Sequence, residues 1–202
     1  MMRWTSLALA MIFGLAACSN DQIDSNESAR RAYLGLDGSI PKALQLGFDG
    51  FNTAQSANIA KQSTVGTMAG TLSVTGQVDQ GASANKGMRL NVAMVGYTDG
   101  DVVIDQDNHT VHIVYDTSTD VTMQPFLMLT LRNIPNGTLD GTLVGTYQMS
   151  GDIKGDVTLN LMFTGHIMDG GGGLVVRVPG STTVTGTATN SDNGSFDVNI
   201  TI

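Results

Sequence analysis

Val157-Thr158-Leu159-Asn160-Leu161-Met162-Phe163-Thr164-Gly165-His166-Ile167 is the stretch whose reading decides the fold. Its apolar residues Val157, Leu159, Leu161, Phe163 and Ile167 fall at odd positions, with mostly polar residues between them. A period of two is that of a strand with one face buried and one wet. The same period recurs outward in both directions. It places Leu139, Leu143, Tyr147 and Met149 on one face, and likewise Val121, Met123, Leu127, Leu129 and Leu131. Val111, Ile113 and Tyr115 form a shorter row, as do Met88, Leu90, Val92 and Met94, and Met68, Leu72, Val74 and Val78. Towards the end, Val184 and Ala188 precede Phe196, Val198, Ile200 and Ile202. About eight strands joined by Asp/Gly/Asn turns are expected.

Three units share one pattern. Each has a Gly-Thr strand, a polar turn, then a strand alternating apolar residues with Asn, Asp or Thr. They run from Gly70-Thr71-Leu72, Gly145-Thr146-Tyr147 and Gly186-Thr187-Ala188. The pattern reads as three similar hairpins in an antiparallel meander. Gly70, Gly76, Gly141, Gly145, Gly165 and Gly186 share the parity of the buried face. Glycine there allows strong bending and leaves room above the sheet.

Before the sheet lies the one helical stretch. Ala29 to Leu36 reads as a short helix broken at Asp37-Gly38. Ser39 is the expected cap of a second helix, with Pro41 in its first turn. Ile40, Leu44, Phe48 and Phe51 make one apolar stripe at spacings of four, four and three. The fold expected is mainly β: a long-stranded, antiparallel, strongly curved sheet, barrel or sandwich, with an N-terminal amphipathic helix packed on or in it. A transmembrane barrel is disfavoured, because Trp4 is the only Trp and the interfacial aromatic girdles could not be built.

The N-terminus gives the address. Arg3 precedes an apolar run from Leu7 to Leu15, followed by small residues and Cys18. The run is too short for a spanning helix and has the layout of a signal peptide. Leu15-Ala16-Ala17-Cys18 resembles the lipobox of bacterial lipoproteins. The resemblance covers only the first 20 or so residues. It implies cleavage before Cys18, lipid on that cysteine, and a membrane-anchored exported protein. Ser19, in place of an aspartate, implies the outer membrane or cell surface. The divisions expected are 1–17 signal peptide, 18–28 lipidated cysteine and flexible tether, 29–60 helical segment, and 63–202 antiparallel β domain.

Cys18 is the sole cysteine, so there is no internal disulfide, thiol nucleophile or cysteine metal site. Asp and Glu number 18 against 10 Lys and Arg, and the formal charge of −8 becomes −9 once Arg3 is removed. That balance speaks against nucleic acid and anionic headgroups as partners.

No catalytic motif emerges. His109 and His112 are three apart in a strand-like region and so face opposite ways. Ser39-x-x-Lys42 and Ser83-x-x-Lys86 echo penicillin-binding enzymes, but no Lys-Thr-Gly accompanies them. Asp99, Asp101, Asp105 and Asp107 form a weak calcium candidate outside the EF-hand spacing. Eight methionines follow Cys18, most of them read with inward parity.

No cofactor is expected. The leading expectation is a non-catalytic structural or interaction module, meeting the membrane through its lipid and an envelope protein partner through its surface. The alternative is a carrier of lipid or another apolar ligand between the sheet and the helix, with Leu44, Phe48, Phe51, Met68, Met94 and Met149 as the contact residues.

Overall fold

The computed structural model describes residues 22–202. The expected cleavage site and Cys18 lie outside them.

Two helices open the described part of the chain. α1 (Asn26–Asp37) starts where the Ser25 side chain accepts from the Ser28 N–H and the Ser28 hydroxyl accepts in return from the Ser25 N–H. This reciprocal cap satisfies two of the amides that a helix start leaves open. α2 (Ser39–Thr53) follows after Gly38 alone. Gly38 keeps helical dihedrals and gives no side-chain cap. Ser39 is therefore not the cap expected of it: it is the first helical residue, and it is buried. The tether expected over 18–28 also ends sooner, because Ile23 is fully buried and α1 begins at Asn26.

Twelve strands follow. They are β1 (Asn58–Val65), β2 (Ala69–Val78), β3 (Lys86–Thr98), β4 (Val102–Val103), β5 (Thr110–Val111), β6 (Ile113–Asp116), β7 (Phe126–Arg132), β8 (Gly137–Gly151), β9 (Gly155–Gly171), β10 (Leu174–Arg177), β11 (Thr183–Asn190) and β12 (Gly194–Thr201). Ten of them form one antiparallel sheet with the path β1-β2-β3-β6-β8-β9-β11-β12. β7 sits beside β6 between β3 and β8, and β10 extends beside β9. β4 and β5 pair separately. The three similar units of the sequence are the hairpins β2–β3, β8–β9 and β11–β12.

The sheet is strongly curved. α2 touches β1 at one edge and also β10, which lies beyond β9. Six ladder steps separate β1 from β10, about 29 Å if flat, whereas the 15 residues of α2 extend only about 22 Å. One helix reaches both only because the sheet curls around it. No ladder joins β1 to β12, so the curl stays open, and the helices occupy the inner face. Asn26 of α1 covers part of the β12 edge by accepting from the Asp197 N–H at 2.9 Å.

Glycine supports the bend and the close approach. Gly186 has φ +144°, and a Cβ there would run into the Asn160 carbonyl of β9. Gly35 on α1 lies so near β6 that a Cβ would stand 2.6 Å from the Tyr115 hydroxyl.

Parity fails at two places. Met68 was expected on the inner face but lies in the β1–β2 turn and is 63% exposed. A register shift between Ala69 and Thr71, at Gly70 with φ +75°, breaks the alternation there. Val121 and Met123 were expected to begin a strand, yet they form an exposed single turn of 3-10 helix before β7. β1 begins at Asn58, inside the span read as helical.

Gly186→Ala should lower the free energy of unfolding by about 2 kcal/mol or more, the scale of overpacking at a well-packed site. Urea titration followed by circular dichroism would measure it, with Gly81→Ala, where φ is also positive but a Cβ meets nothing within 4 Å, as the control for backbone strain alone.

Candidate functional site

The space between helices and sheet is filled. Tyr33, Leu36 and Leu44 from the helices meet Tyr115, Tyr147 and Phe163 from the sheet, and all six are 1% exposed or less. Tyr33 stacks at a tilt on Phe163, and Tyr115 stands edge-on to Tyr147, both with centroids 6.1 Å apart. The Tyr115 hydroxyl donates to the Ala32 carbonyl of α1 at 2.6 Å, so it is buried with a partner. Of the apolar-ligand candidates, Leu44, Met94 and Met149 are core residues. Phe48 and Phe51 are partly buried against that core. Lys86 covers the Phe51 ring, its ammonium 4.6 Å from the centroid. Met68 stands apart on the surface. The six residues do not line a common cavity: three are packed and one is outside.

Only three of the eight methionines after Cys18, Met88, Met94 and Met149, are buried. Met68, Met123, Met128, Met162 and Met168 are exposed. Two of these belong to a contiguous apolar group on the outer face. Phe126 of β7 is paired with Val144 of β8. Met128, two residues along β7, is paired with Thr142, which is paired in turn with Met162 of β9. Paired side chains on one face lie about 5 Å apart and diagonal ones about 7 Å, so the four form one patch. Phe126, Met128, Val144 and Met162 are 36%, 43%, 45% and 59% exposed.

Two ion pairs clamp the helix junction. Arg177 of β10 grips Asp37 through two hydrogen bonds, at 2.9 and 2.6 Å, and Tyr33 donates to the same carboxylate. Burial and the Asp37 charge push the Tyr33 hydroxyl well above its ordinary value. Lys42 of α2 pairs with Asp99, which also accepts from the Tyr97 hydroxyl and the Thr67 N–H. Burial opposes ionisation of Asp99, but these donors outweigh it and hold its carboxyl below the ordinary range.

The four carboxylates considered for calcium are therefore divided. Asp99 belongs to the Lys42 clamp, and Asp101 pairs with His112 at 3.0 Å. Asp105 and Asp107 do come together, joined by His109, with one ligand atom of each within 4.8 Å of the others. A nitrogen ligand suits zinc-like ions better than calcium. The hydrogen bond from His109, at 2.7 Å, holds the exposed Asp105 carboxyl below its ordinary value.

His166 and Ser181 line an outer groove of about 410 Å³ with Arg132 and Asp140. Ser181 donates to the Val178 carbonyl and accepts from the His166 backbone N–H, so no imidazole takes its proton. A larger groove of about 790 Å³ runs between the start of α1 and β11–β12, lined by Arg30, Thr187, Asp197 and their neighbours. Comparison with known proteins finds no matching family, no similar curated protein and no similar solved structure.

At the start of α1, hydrogen bonds from Arg30 and Arg31 lower the Glu27 carboxyl to about 2. A depressed carboxylate stabilises the fold above its unfolded value, and that contribution is lost as pH falls towards 2. Glu27→Gln should therefore cost less than about 1 kcal/mol at neutral pH, as expected of a solvent-exposed pair. The difference from the parent chain should shrink below pH 4.5 and vanish near pH 2, read by urea unfolding across that range.

Proposed function

We propose that this chain is a lipid-anchored envelope protein whose β module acts by binding other proteins at its outer face, without catalysis. The observation that carries the reading is the patch of Phe126, Met128, Val144 and Met162, which lies on the outside while the inside is filled. Contiguous apolar side chains on a wet sheet face mark interaction sites more often than isolated ones do. The packed interior supports binding outside the sheet over carriage of an apolar molecule within it. The lipobox-like Leu15-Ala16-Ala17-Cys18 supplies the anchor.

A photo-crosslinking residue at position 162, tested in intact cells, should give a discrete protein adduct. The adduct should be lost on Met128→Lys and absent with the crosslinker at position 77 on β2. An adduct of twice the chain mass would identify a second copy as the partner. No adduct, together with a native mass carrying a bound apolar molecule, would overturn the reading in favour of a carrier.

A further inference from the structure

The described chain begins at one rim of the curled sheet, and the path it takes there is fixed. The Asn193 side chain donates to the Gln22 side chain at 3.2 Å and to the Ile23 carbonyl at 3.0 Å. Ile23 is fully buried. Gln22 thus sits at the β11–β12 turn, and it also neighbours Gly155, where a Cβ would lie 3.8 Å from its Cγ. The β8–β9 turn, residues 151–155, adjoins the β11–β12 turn through Asn190, which donates to the Asp156 carbonyl. On its other side that turn meets the 99–112 segment: the His112 N–H donates to Asp152 at 2.7 Å, and His112 pairs with Asp101. These contacts define one continuous rim.

Cys18 stands four residues before Gln22. Four residues span at most about 14 Å whatever their conformation. A lipid on Cys18 therefore keeps the Gln22 end of the rim within about 14 Å of the bilayer surface. We infer that this rim, formed by 99–112, 151–155 and 190–194, is the surface laid against the phospholipid headgroups of the anchoring membrane. The inference rests on the lipid-anchor reading above.

The charge of the rim opposes close contact with phosphate headgroups, so the anchor alone would hold it there. Asp101, Asp105, Asp107, Asp152 and Asp192 are all exposed there, with Lys154, His109 and the half-buried His112 among them. Screening acts over about 8 Å at physiological salt, so carboxylates this near the headgroups still feel the phosphates. The opposite end is well clear. β3 runs 13 residues from Lys86 to the rim at Thr98, about 40 Å at the usual strand rise.

The test uses the full chain purified from bacterial membranes and reconstituted into phosphatidylethanolamine–phosphatidylglycerol vesicles carrying a nitroxide-headgroup lipid. Cys18 is the only native cysteine, so once it is acylated an introduced thiol is the only one to label. Ser191→Cys and Asp107→Cys place a fluorophore on the rim. Ala82→Cys places one at the far end, and Met162→Cys one on the outer patch. The expected result is loss of most of the fluorescence at 191 and 107, with little loss at 82 and 162. Equal quenching at all four sites, or the strongest quenching at 162, overturns the orientation. The intact mass is read on the same sample. An unacylated Cys18 overturns the anchor reading and this inference with it, whereas an acylated chain without rim quenching overturns the orientation alone.

Discussion

The structure depends on how the inner face of a large open sheet is covered. A sheet this wide, left uncovered, would expose a continuous apolar face, and its two edges do not pair to close it. Two helices meet that need, each taking a different part of the curl: α1 lies against β12 and β6, and α2 against β1, β2, β3 and β10. Burying one large side chain contributes about 1.5–3 kcal/mol, so the row of Tyr33, Leu36 and Leu44 outweighs any single polar contact here. The polar contacts have another role, which is to fix position. Arg177 holds the end of α1 to β10, while Asp99 holds the start of α2 beside β3. Gly38 lies between these two clamps, so the corner joining the helices is tied to distant parts of the sheet.

How far the sequence could be read depends on whether an element carries its own pattern. β9 is legible because Val157, Leu159, Leu161 and Phe163 fall at every second position and Ile167 resumes the row beyond Gly165, and its partners β8 and β11 pair with it along most of that row. β1 is not legible, since Ile59 is its only buried residue and its place comes from the β2 ladder and α2. Met68 reads as inward only if alternation runs unbroken through Gly70, and the shift there reverses it. The methionines mislead for a related reason. In Leu127-Met128-Leu129 and Leu161-Met162-Phe163 every residue is apolar, so composition hides the alternation that puts the methionine outside. The Lys42–Asp99 clamp joins residues 57 apart, and no local pattern points to it. Among the acidic residues of 99–107, proximity in sequence was a poor guide, because the strand turns of this segment send Asp99 and Asp101 to different partners.

A filled interior moves the question of function to the outside. Inner positions are constrained by volume, and a substitution there is felt by the whole core. The outer face of β7, β8 and β9 has no such constraint, and Thr142 shows that a polar residue is accommodated at its centre. Met128 and Met162 flank that Thr across the strands, Val144 and Asp140 flank it along β8, and Phe126 lies diagonal to it, so the apolar residues gather on one side. Core packing gives no reason for this, and methionine is suited to surfaces that must adapt to another molecule.

An anchor at Cys18, as proposed, would restrict together with the patch the geometry of any encounter. Val144 lies seven residues along β8 from Gly151 at the rim, about 23 Å at the usual rise per residue. With the rim against the bilayer, the patch stands clear of the headgroups and faces sideways. A partner reaching it from solution would meet it as an ordinary weak apolar site of four side chains. A partner held to the same membrane meets it already confined to a thin layer, and confinement raises the effective concentration without any added contact. On the proposed anchor, a small patch would thus be better matched to a neighbour in the same membrane than to a diffusing one, because the anchor would supply the proximity that four side chains alone do not.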